Sequence, residues 1–195
     1  LNSQLSEYYR SRGDKFDANI YVKANWEITQ GLNLYGDLQY RHIDYKIKGI
    51  NDEDLSELDV HKTYNFFNPK AGISYVHQGH TGYFNFAVAN REPSRANFTE
   101  AGVNDIPLPE RLYDYELGYQ YLHHRFGAGA NFYFMDYYNQ PVLTGQYSDV
   151  GAYLTKNVDR SYRMGVELTA GVEITKWLRW DMNATLSMNK IINFS

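Results

Sequence analysis

The stretch Ser161-Tyr-Arg-Met-Gly-Val-Glu-Leu-Thr-Ala-Gly-Val-Glu-Ile-Thr175 alternates apolar and polar side chains without a break. Its even-numbered positions, from Tyr162 to Ile174, are apolar or aromatic, and its odd-numbered positions carry serine, arginine, glycine, glutamate or threonine. A period of two sustained over this length predicts a β-strand with one apolar face and one polar face.

A second strand of the same phase follows it, beginning at Leu178. Residues that face each other across an antiparallel ladder share a face of the sheet, so two strands of equal phase need a turn with an odd number of residues. The three residues from Thr175 to Trp177 satisfy this rule. We therefore predict that Val172 faces Trp180 and that Ile174 faces Leu178.

The apolar stripe of each arm runs for about a dozen residues, whereas strands of ordinary globular domains cluster near five or six. At about 3.3 Å per residue and a tilt near 45°, such a stripe covers roughly 25 to 30 Å along a membrane normal. This height matches the hydrocarbon layer of a bilayer, so the hairpin is long enough to cross a membrane.

Six further segments alternate in the same way, which gives eight predicted strands. A three-residue turn from Thr29 to Gly31, with Gly31 in the left-handed conformation, predicts that Trp26 faces Leu34. Changes of phase predict four-residue loops at Gln78 to Thr81 and at Leu122 to Arg125. The six segments lie at residues 16–28, 32–43, 67–75, 84–88, 113–121 and 126–134.

Pro69 falls in the apolar phase of the third segment. A proline donates no hydrogen bond to a ladder and is poorly tolerated in a central strand. We therefore expect Pro69 at the start of that strand or at a bulge.

Short and long connections alternate along the whole chain. The short ones lie near residues 30, 79, 124 and 176, and the long ones cover residues 44–63, 91–112 and 139–160. Residues 1–15 are polar and loop-like. This rhythm is typical of an outer-membrane barrel, with tight periplasmic turns and long extracellular loops. The predicted fold class is all-β, an antiparallel up-and-down transmembrane β-barrel segment.

Two other architectures share the alternation. A small independent outer-membrane barrel of structural role has the same two faces, and a soluble lipocalin-like ligand-binding barrel turns its apolar face inward. Soluble barrels rarely combine strands of this length with this rhythm of connections. The first alternative is disfavoured by the four short turns and three long loops, because both predicted ends of the strand set then lie on the long-loop side.

Composition excludes several functions. The net charge of -4 and the absence of a basic run argue against nucleic-acid binding. The chain has no cysteine, which excludes disulfides and thiolate metal sites. Aromatic residues make up 16% of the chain, which suits the aromatic girdles of a membrane barrel.

Candidate metal and catalytic residues are few. The acidic connection holds Asp52, Glu53, Asp54, Glu57 and Asp59, but it lacks the spacing and the glycine of an EF-hand loop, so we expect a solvated loop and no metal. The predicted turns contain His77, His80, His123 and His124 without an acidic partner or a third ligand at useful spacing. No serine, histidine and aspartate constellation supports an outer-membrane lipase or acyltransferase. We expect neither enzymatic activity nor a cofactor.

The chain shows no run of 18 apolar residues and no signal peptide at Leu1. The absence of such a run excludes membrane-spanning helices but not a barrel. The count of turns and loops indicates a segment cut from a larger barrel within two long loops. Residues 1–195 are expected to form part of a single outer-membrane β-barrel domain, with plug domain and signal peptide absent.

A set of motifs recurs in order along the chain: Asn68-Pro-Lys-Ala-Gly-Ile-Ser-Tyr75, Arg91-Glu-Pro-Ser-Arg95, Pro109-Glu110, Asp114-Tyr-Glu-Leu-Gly-Tyr119, Met135-Asp-Tyr137, Gln140-Pro-Val-Leu-Thr-Gly145, Asp149-Val-Gly151 and Asn157 to Glu167. In these motifs the sequence resembles the barrel of TonB-dependent outer-membrane receptors, most closely those of Bacteroidetes-type bacteria. The resemblance covers roughly residues 16–195.

The resemblance implies active import of a scarce ligand such as an iron chelate, a corrinoid or a glycan. It also implies a barrel of about 22 strands, of which eight would form roughly a third. The expected partners are outer-membrane lipid, a plug domain of the same parent chain, the energy-supplying TonB complex acting through a part N-terminal to this chain, and the ligand.

Two groups of residues are candidates for sites. Arg91 and Arg95, with Glu110, are candidates at the extracellular rim for meeting an anionic ligand. Internal ion pairs with Glu92 or Glu110 are the preferred explanation for the two arginines. The second group lies on the polar face of the hairpin described first and is expected to face the plug or lumen water. Its members are Arg163, Glu167, Glu173, Arg179 and Asp181.

An isolated eight-stranded wall would carry two severed edges and a large apolar face. Closing it into a small barrel would bury polar side chains without hydrogen-bond partners. We therefore expect the isolated chain to self-associate at least into a dimer, or to depend on detergent.

The even-numbered residues of the hairpin should face lipid in the parent barrel. Nitroxide labels at Leu168 and Ala184 should be relaxed by a lipid-soluble quencher, whereas labels at Thr169 and Thr185 should not. The physical reason is that a lysine or arginine at the bilayer midplane costs roughly 2 to 4 kcal/mol, and the odd-numbered face carries several charges. The opposite pattern of relaxation would support the soluble barrel.

Overall fold

The structure is a computed structural model that describes residues 10–50, 57–99, 106–147, 151 and 153–192. These residues form one antiparallel sheet of eight strands in which every strand pairs with its neighbours in the chain. The order is β1 (Ser11–Thr29), β2 (Leu32–Ile50), β3 (Glu57–His77), β4 (His80–Arg91), α1 (Arg95–Thr99), β5 (Glu110–His123), β6 (Phe126–Tyr147), β7 (Tyr153–Thr175) and β8 (Leu178–Ile192). This up-and-down topology confirms the predicted fold class.

Two of the three predicted facing pairs are confirmed, and the third is wrong because of a register shift beside its turn. Val172 faces Trp180, as predicted. Thr175 rather than Ile174 is paired with Leu178, because the register shifts by one residue between Glu173 and Thr175. The two strands have the same phase and so need one extra residue between them. A bulge in β7 supplies it, and the turn itself contains only two residues.

The hairpin of β1 and β2 repeats this solution. Trp26 faces Leu34, as predicted, and the register then shifts so that Thr29 pairs with Leu32. The turn is again two residues long, and Gly31 has a φ of 82°, as expected. Phase arguments fix the parity of a connection but do not distinguish a longer turn from a shorter turn with a bulge.

The other two short turns are also tighter than predicted. His77 pairs with His80 and His123 pairs with Phe126, so each turn has two residues rather than four. Gln78 and Gly79 have φ values of 47° and 84°. Two successive positive φ angles define the type I′ turn, whose twist matches that of the flanking strands.

Pro69 lies inside β3 and faces Leu38 without a register shift, so the expectation of a strand start or a bulge is wrong. Its tolerance comes from the other neighbour, because the ladder between β3 and β4 begins only at Lys70. Beyond it the backbone N–H of Asn90 donates to Oδ1 of Asn68 at 3.0 Å, and Nδ2 of Asn90 donates to the carbonyl of Phe67 at 3.1 Å. Side-chain amides replace the ladder where the proline interrupts it.

The strands extend well into the predicted long connections. β2 and β3 occupy most of residues 44–63, β6 and β7 occupy most of residues 139–160, and β1 begins at Ser11. Asp52, Glu53 and Asp54 lie outside the described residues. The prediction of irregular loops was wrong here because the alternation of apolar and polar residues ends before the strands do, whereas backbone pairing continues beyond it.

The two faces of the sheet differ as predicted. One apolar residue from each strand lies in a single row of facing pairs that crosses the sheet, and we call this side the apolar face. The row is Trp26, Leu34, Ile73, Phe84, Leu117, Phe132, Val166 and Leu186. The opposite side, which carries the charged and amide residues of the hairpin of β7 and β8, is the polar face.

The sheet is open in the described residues, with β1 and β8 at its two edges. The structure therefore does not show the closed small barrel that would hide both edges. No helix among the residues described is long and apolar enough to cross a membrane.

Replacing Gly79 tests the type I′ turn. A Cβ there would lie 2.2 Å from the carbonyl oxygen of Leu122, and the residue would also be held at positive φ. We expect Gly79→Ala to lower the free energy of unfolding by about 1 to 3 kcal/mol. The matched control is Gly36→Ala, because no atom lies within 4 Å of a Cβ at Gly36. Urea unfolding of the full-length protein in detergent micelles measures both, and equal midpoints would contradict the turn assignment.

Candidate rim and lumenal sites

The polar face of the hairpin of β7 and β8 carries the predicted lumenal residues on a common side. Nε of Arg179 donates to Asp181 at 2.8 Å and 2.9 Å, and Glu173 faces Arg179 across the ladder. The guanidinium of Arg163 lies 5.2 Å from the ring centre of Tyr137. Arg179 and Asp181 are thus paired within the wall, and cationic and anionic side chains are mixed on this surface.

Two tyrosines lie flat along the polar face above glycines. The ring of Tyr83 covers Gly118, where a Cβ would lie 2.1 Å from its Cζ, and its hydroxyl donates to Asn131 at 3.1 Å. Tyr133 covers Gly165 in the same way, with its hydroxyl 2.6 Å from the position of a Cβ. The absence of side chains on these glycines lets large rings lie against the wall rather than project from it.

The segment after β4 is bound to the polar face of β1 and β2 by an ion cluster. Oε1 of Glu92 accepts from Nζ of Lys15 at 2.5 Å, and Oε2 accepts from Nη1 of Arg41 at 3.2 Å. Arg41 also donates to both carboxylate oxygens of Asp17, at 2.9 Å and 2.5 Å. Two cations and two carboxylates thus neutralise each other, which makes burial of the Glu92 side chain affordable.

Electrostatics around Glu92 favour its charged form. Burial raises the pKa of its carboxyl, but the hydrogen bond from Lys15 and the guanidinium of Arg41 outweigh burial, and the pKa lies below its ordinary value of 4.5. A lowered pKa contributes stability that is present above the ordinary value and is lost as the pH falls through the lowered value. The attachment of this segment should therefore weaken only in acid.

Helix α1 follows this anchor and is held at its start and along its side. Oδ1 of Asn97 accepts from the backbone N–H and from the hydroxyl of Ser94, each at 2.9 Å. The ring of Phe98 lies 6.2 Å from that of Tyr45 on the polar face of β2. The connection between β4 and β5 thus begins by running over the polar side of the wall.

The rim arginines have internal partners. Nη2 of Arg91 lies 2.6 Å from Oε2 of Glu110, and Arg95 donates to the hydroxyl of Ser11. Arg91 and Glu110 are also facing residues of the ladder between β4 and β5. Both arginines keep exposed surface, so internal pairing does not remove them from solvent.

The Asn157 side chain binds the end of the connection between β4 and β5. Its side chain accepts from the backbone N–H of Leu108 at 3.0 Å and donates to the Leu108 carbonyl at 3.2 Å and to the Asn139 carbonyl at 2.6 Å. A backbone segment outside the ladders is thereby held against β7. Asn139 itself has a positive φ of 53°.

The structure also shows a core that the sequence analysis missed. Ile43, Tyr64 and Phe66 form a buried cluster, with Tyr45 packed against it, and Ile47 is fully buried. All lie on the polar face near the long connections. The sequence does contain a signal for this core, because beyond His42 the odd positions of β2 become apolar and the even positions carry Asp44, Lys46 and Lys48. Such an inversion places the apolar side chains of β2 on the opposite side of the sheet beyond His42.

The histidines do not form a metal site in the described part of the chain, where no group of three or more candidate ligands is found. Three of the histidines lie at strand ends rather than within turns: His77 is the last residue of β3, His80 the first of β4 and His123 the last of β5. His124 lies in a turn. Their neighbours are aromatic, and Nδ1 of His80 lies 2.6 Å from the Tyr119 hydroxyl.

Family comparison identifies this wall. The family model for the TonB dependent receptor-like β-barrel matches residues 1–193. The chain belongs to this family. A TonB-dependent receptor barrel resides in the outer membrane. We therefore expect the apolar face of the sheet to contact lipid and the polar face to line the lumen.

Three solved structures that resemble this chain are two transporters and an uptake receptor. The copper transporter OprC aligns with a TM-score of 0.76 and 17% identity, over 92% of this chain and 29% of its own. The FrpB iron transporter from Neisseria meningitidis aligns with a TM-score of 0.72 and 18% identity, over 94% and 27%. The ferric yersiniabactin uptake receptor FyuA from Yersinia pestis aligns with a TM-score of 0.69 and 17% identity, over 95% and 29%.

The chain thus spans less than a third of the length of these structures. A search of the curated proteins found no match.

Neutralising Glu92 should release the segment from the wall. In Glu92→Gln, a spin label at Ser94 of the full-length receptor should become more mobile at neutral pH, because Lys15 and Arg41 lose their shared anion. The wild-type label should gain the same mobility only in acid, at a pH below about 4.5. Glu57→Gln is the control, since Glu57 is an exposed glutamate at the start of β3. Unchanged mobility in Glu92→Gln would show that the ion cluster does not hold the segment.

Proposed function

We propose that this chain is part of the barrel wall of an outer-membrane active-transport receptor, which imports a scarce ligand with energy supplied by the TonB complex. The observation that carries the proposal is that the segment after β4, with Glu92 and helix α1, is held on the polar face by ion pairs to Lys15 and Arg41. A wall whose long connection bends over the lumen can contact a ligand that enters from outside. The ligand class is an iron chelate, a corrinoid or a glycan.

The lumenal surface supports a wall that encloses a removable domain. Arg179 and Asp181 pair with each other, and Tyr83 and Tyr133 lie flat over glycines. When the charges of the wall pair with each other, few of them are left to form strong ion pairs with an internal plug. The plug can then move without breaking such pairs. We propose that Arg163, Glu167, Glu173, Arg179 and Asp181 face the plug or the water around it.

The rim residues are proposed as part of the ligand contact. Arg91 keeps 64% of its side chain exposed while paired with Glu110, so it can exchange this partner for an anionic group of a ligand. Arg95 lies in α1, on the connection that bends inward. Charge-assisted hydrogen bonds from arginine to an anion are among the strongest available at such a rim.

A small structural barrel is the main alternative. It requires strands β1 and β8 to meet, and in the described residues the sheet is open at both. The solved relatives are also more than three times the length of this chain. Both observations favour a wall within a larger transporter.

Uptake by cells that produce the full-length receptor tests the proposal. Cells with and without the gene should be compared for accumulation of ferric chelates, corrinoids and oligosaccharides. We expect gene-dependent uptake of one class that stops when the inner-membrane proton gradient is dissipated, while binding at the cell surface persists. Uptake that continues without the gradient would indicate a passive pore and contradict the proposal.

The double variant Arg91→Gln, Arg95→Gln tests the rim. Losing a charge-assisted hydrogen bond should weaken ligand binding by at least about ten-fold. Arg160→Gln is the matched control, because Arg160 pairs with Asp136 on the opposite face of the sheet. Equal affinities in both variants would remove the rim arginines from the ligand site.

A further inference from the structure

The apolar face carries a groove at its short-turn end. The groove has a volume of about 600 Å³ and is bordered by Tyr75, Phe84, Leu117, Tyr119 and Phe132. These side chains belong to β3, β4, β5 and β6, so the groove crosses several strands.

Gly82 makes the floor of the groove. It faces Tyr75 on one side and Tyr119 on the other, so a residue without a side chain stands between two tyrosines. No atom lies within 4 Å of a Cβ built at this position. Ala130, which faces Tyr119 from β6, continues the low floor. The groove is therefore a space for an apolar chain rather than a defect that the neighbours fill.

Polar rings stand at the end of the groove nearest the turns. His80 is the next residue of β4 on the same face, and it pairs with His77 across the type I′ turn. Its Nδ1 lies 2.6 Å from the Tyr119 hydroxyl, and its ring centre lies 4.5 Å from that of Tyr121. Imidazole and phenol groups at this level suit the boundary between hydrocarbon and headgroups.

The charge of this end is complementary to an anion. The four two-residue turns, with the one residue on either side of each, contain Arg125 and Lys176 together with four histidines and no aspartate or glutamate. The carboxylates nearest to these turns in the sequence, Glu27 and Glu173, lie on the polar face of the sheet. Carboxylates would repel a phosphate at this level. The apolar groove therefore suits the acyl chain of an amphipathic lipid, and the adjacent end without carboxylates suits its phosphate.

We propose that the groove binds one phospholipid of the leaflet at the short-turn end. An acyl chain lies over Gly82 between Tyr75 and Tyr119, and the phosphate contacts His77 and His80. The site depends only on the outer-membrane location of the wall and is independent of the transported ligand.

Native mass spectrometry of the full-length receptor tests this site. The delipidated receptor is titrated with dioleoylphosphatidylglycerol, and the fraction carrying one lipid is measured. Gly82→Leu should lower the affinity by about ten-fold, because the leucine side chain displaces roughly two buried methylenes of the acyl chain. The matched control is Gly36→Leu, which makes the same change at an open glycine on the same face, between Ala24 and Ala71.

A second pair of variants tests the headgroup. The double variant His77→Gln, His80→Gln should weaken binding of the phospholipid, and neutral dioleoylglycerol should bind weakly to the wild type and to this variant alike. His42→Gln, His61→Gln is the control, since both residues lie on the same face at the long-connection end.

Three results would overturn the site. Gly82→Leu and Gly36→Leu could bind lipid equally, which would show that the groove holds no chain. The histidine variants could lose binding while Gly82→Leu keeps it, which would indicate only a surface attraction. A second copy of the receptor could occupy the groove instead, and the spectra would then show a dimer that Gly82→Leu dissociates. Heat-resistant migration of each variant in gels confirms that its barrel has formed.

Discussion

Every backbone polar group of a membrane-spanning wall must find a partner within the protein, because lipid offers none. The other features of this chain depend on that constraint. Pairing each strand with its chain neighbours satisfies the groups locally, and the strict alternation of apolar and polar residues then follows from the two different solvents on either side. Where the backbone cannot pair, as at Pro69, the amides of Asn68 and Asn90 supply the missing bonds.

The same constraint explains the tight ends of the hairpins. Each short connection consists of two residues, and the phase of the flanking strands is reconciled by a bulge where it must be. A bulge leaves one residue unpaired, so it is tolerated beside a turn, where water can reach the backbone. Gly79 and Gln78 provide the alternative, a type I′ turn that needs no bulge.

Above the membrane the chain obeys different rules. Beyond His42 the apolar positions change face, and Ile43, Tyr64 and Phe66 form a small core on the polar side. The Glu92 ion cluster attaches the next connection to the same side, near this core. Within a single strand, the outer face of the wall therefore changes from contact with lipid to contact with water. The rim residues lie beyond this change, on the water-exposed part.

The sequence by itself determined the strands, their phases, the facing pairs of Val172 with Trp180 and Trp26 with Leu34, and the identity of the two faces. These features depend on a period of two and on parity, which neighbouring residues of one chain specify completely. It did not reveal how far the strands extend beyond the membrane, because the apolar pattern disappears there although pairing continues.

Only the tertiary structure decided which distant groups meet. Glu92 binds Lys15 and Arg41 from strands more than fifty residues away in the chain, and Gly82 becomes the floor of a groove only when Tyr75 and Tyr119 stand beside it. Contacts of this kind depend on the order and twist of the strands and on the path of a long connection. No local sequence pattern predicts these contacts, because each residue taken alone looks like an ordinary exposed residue.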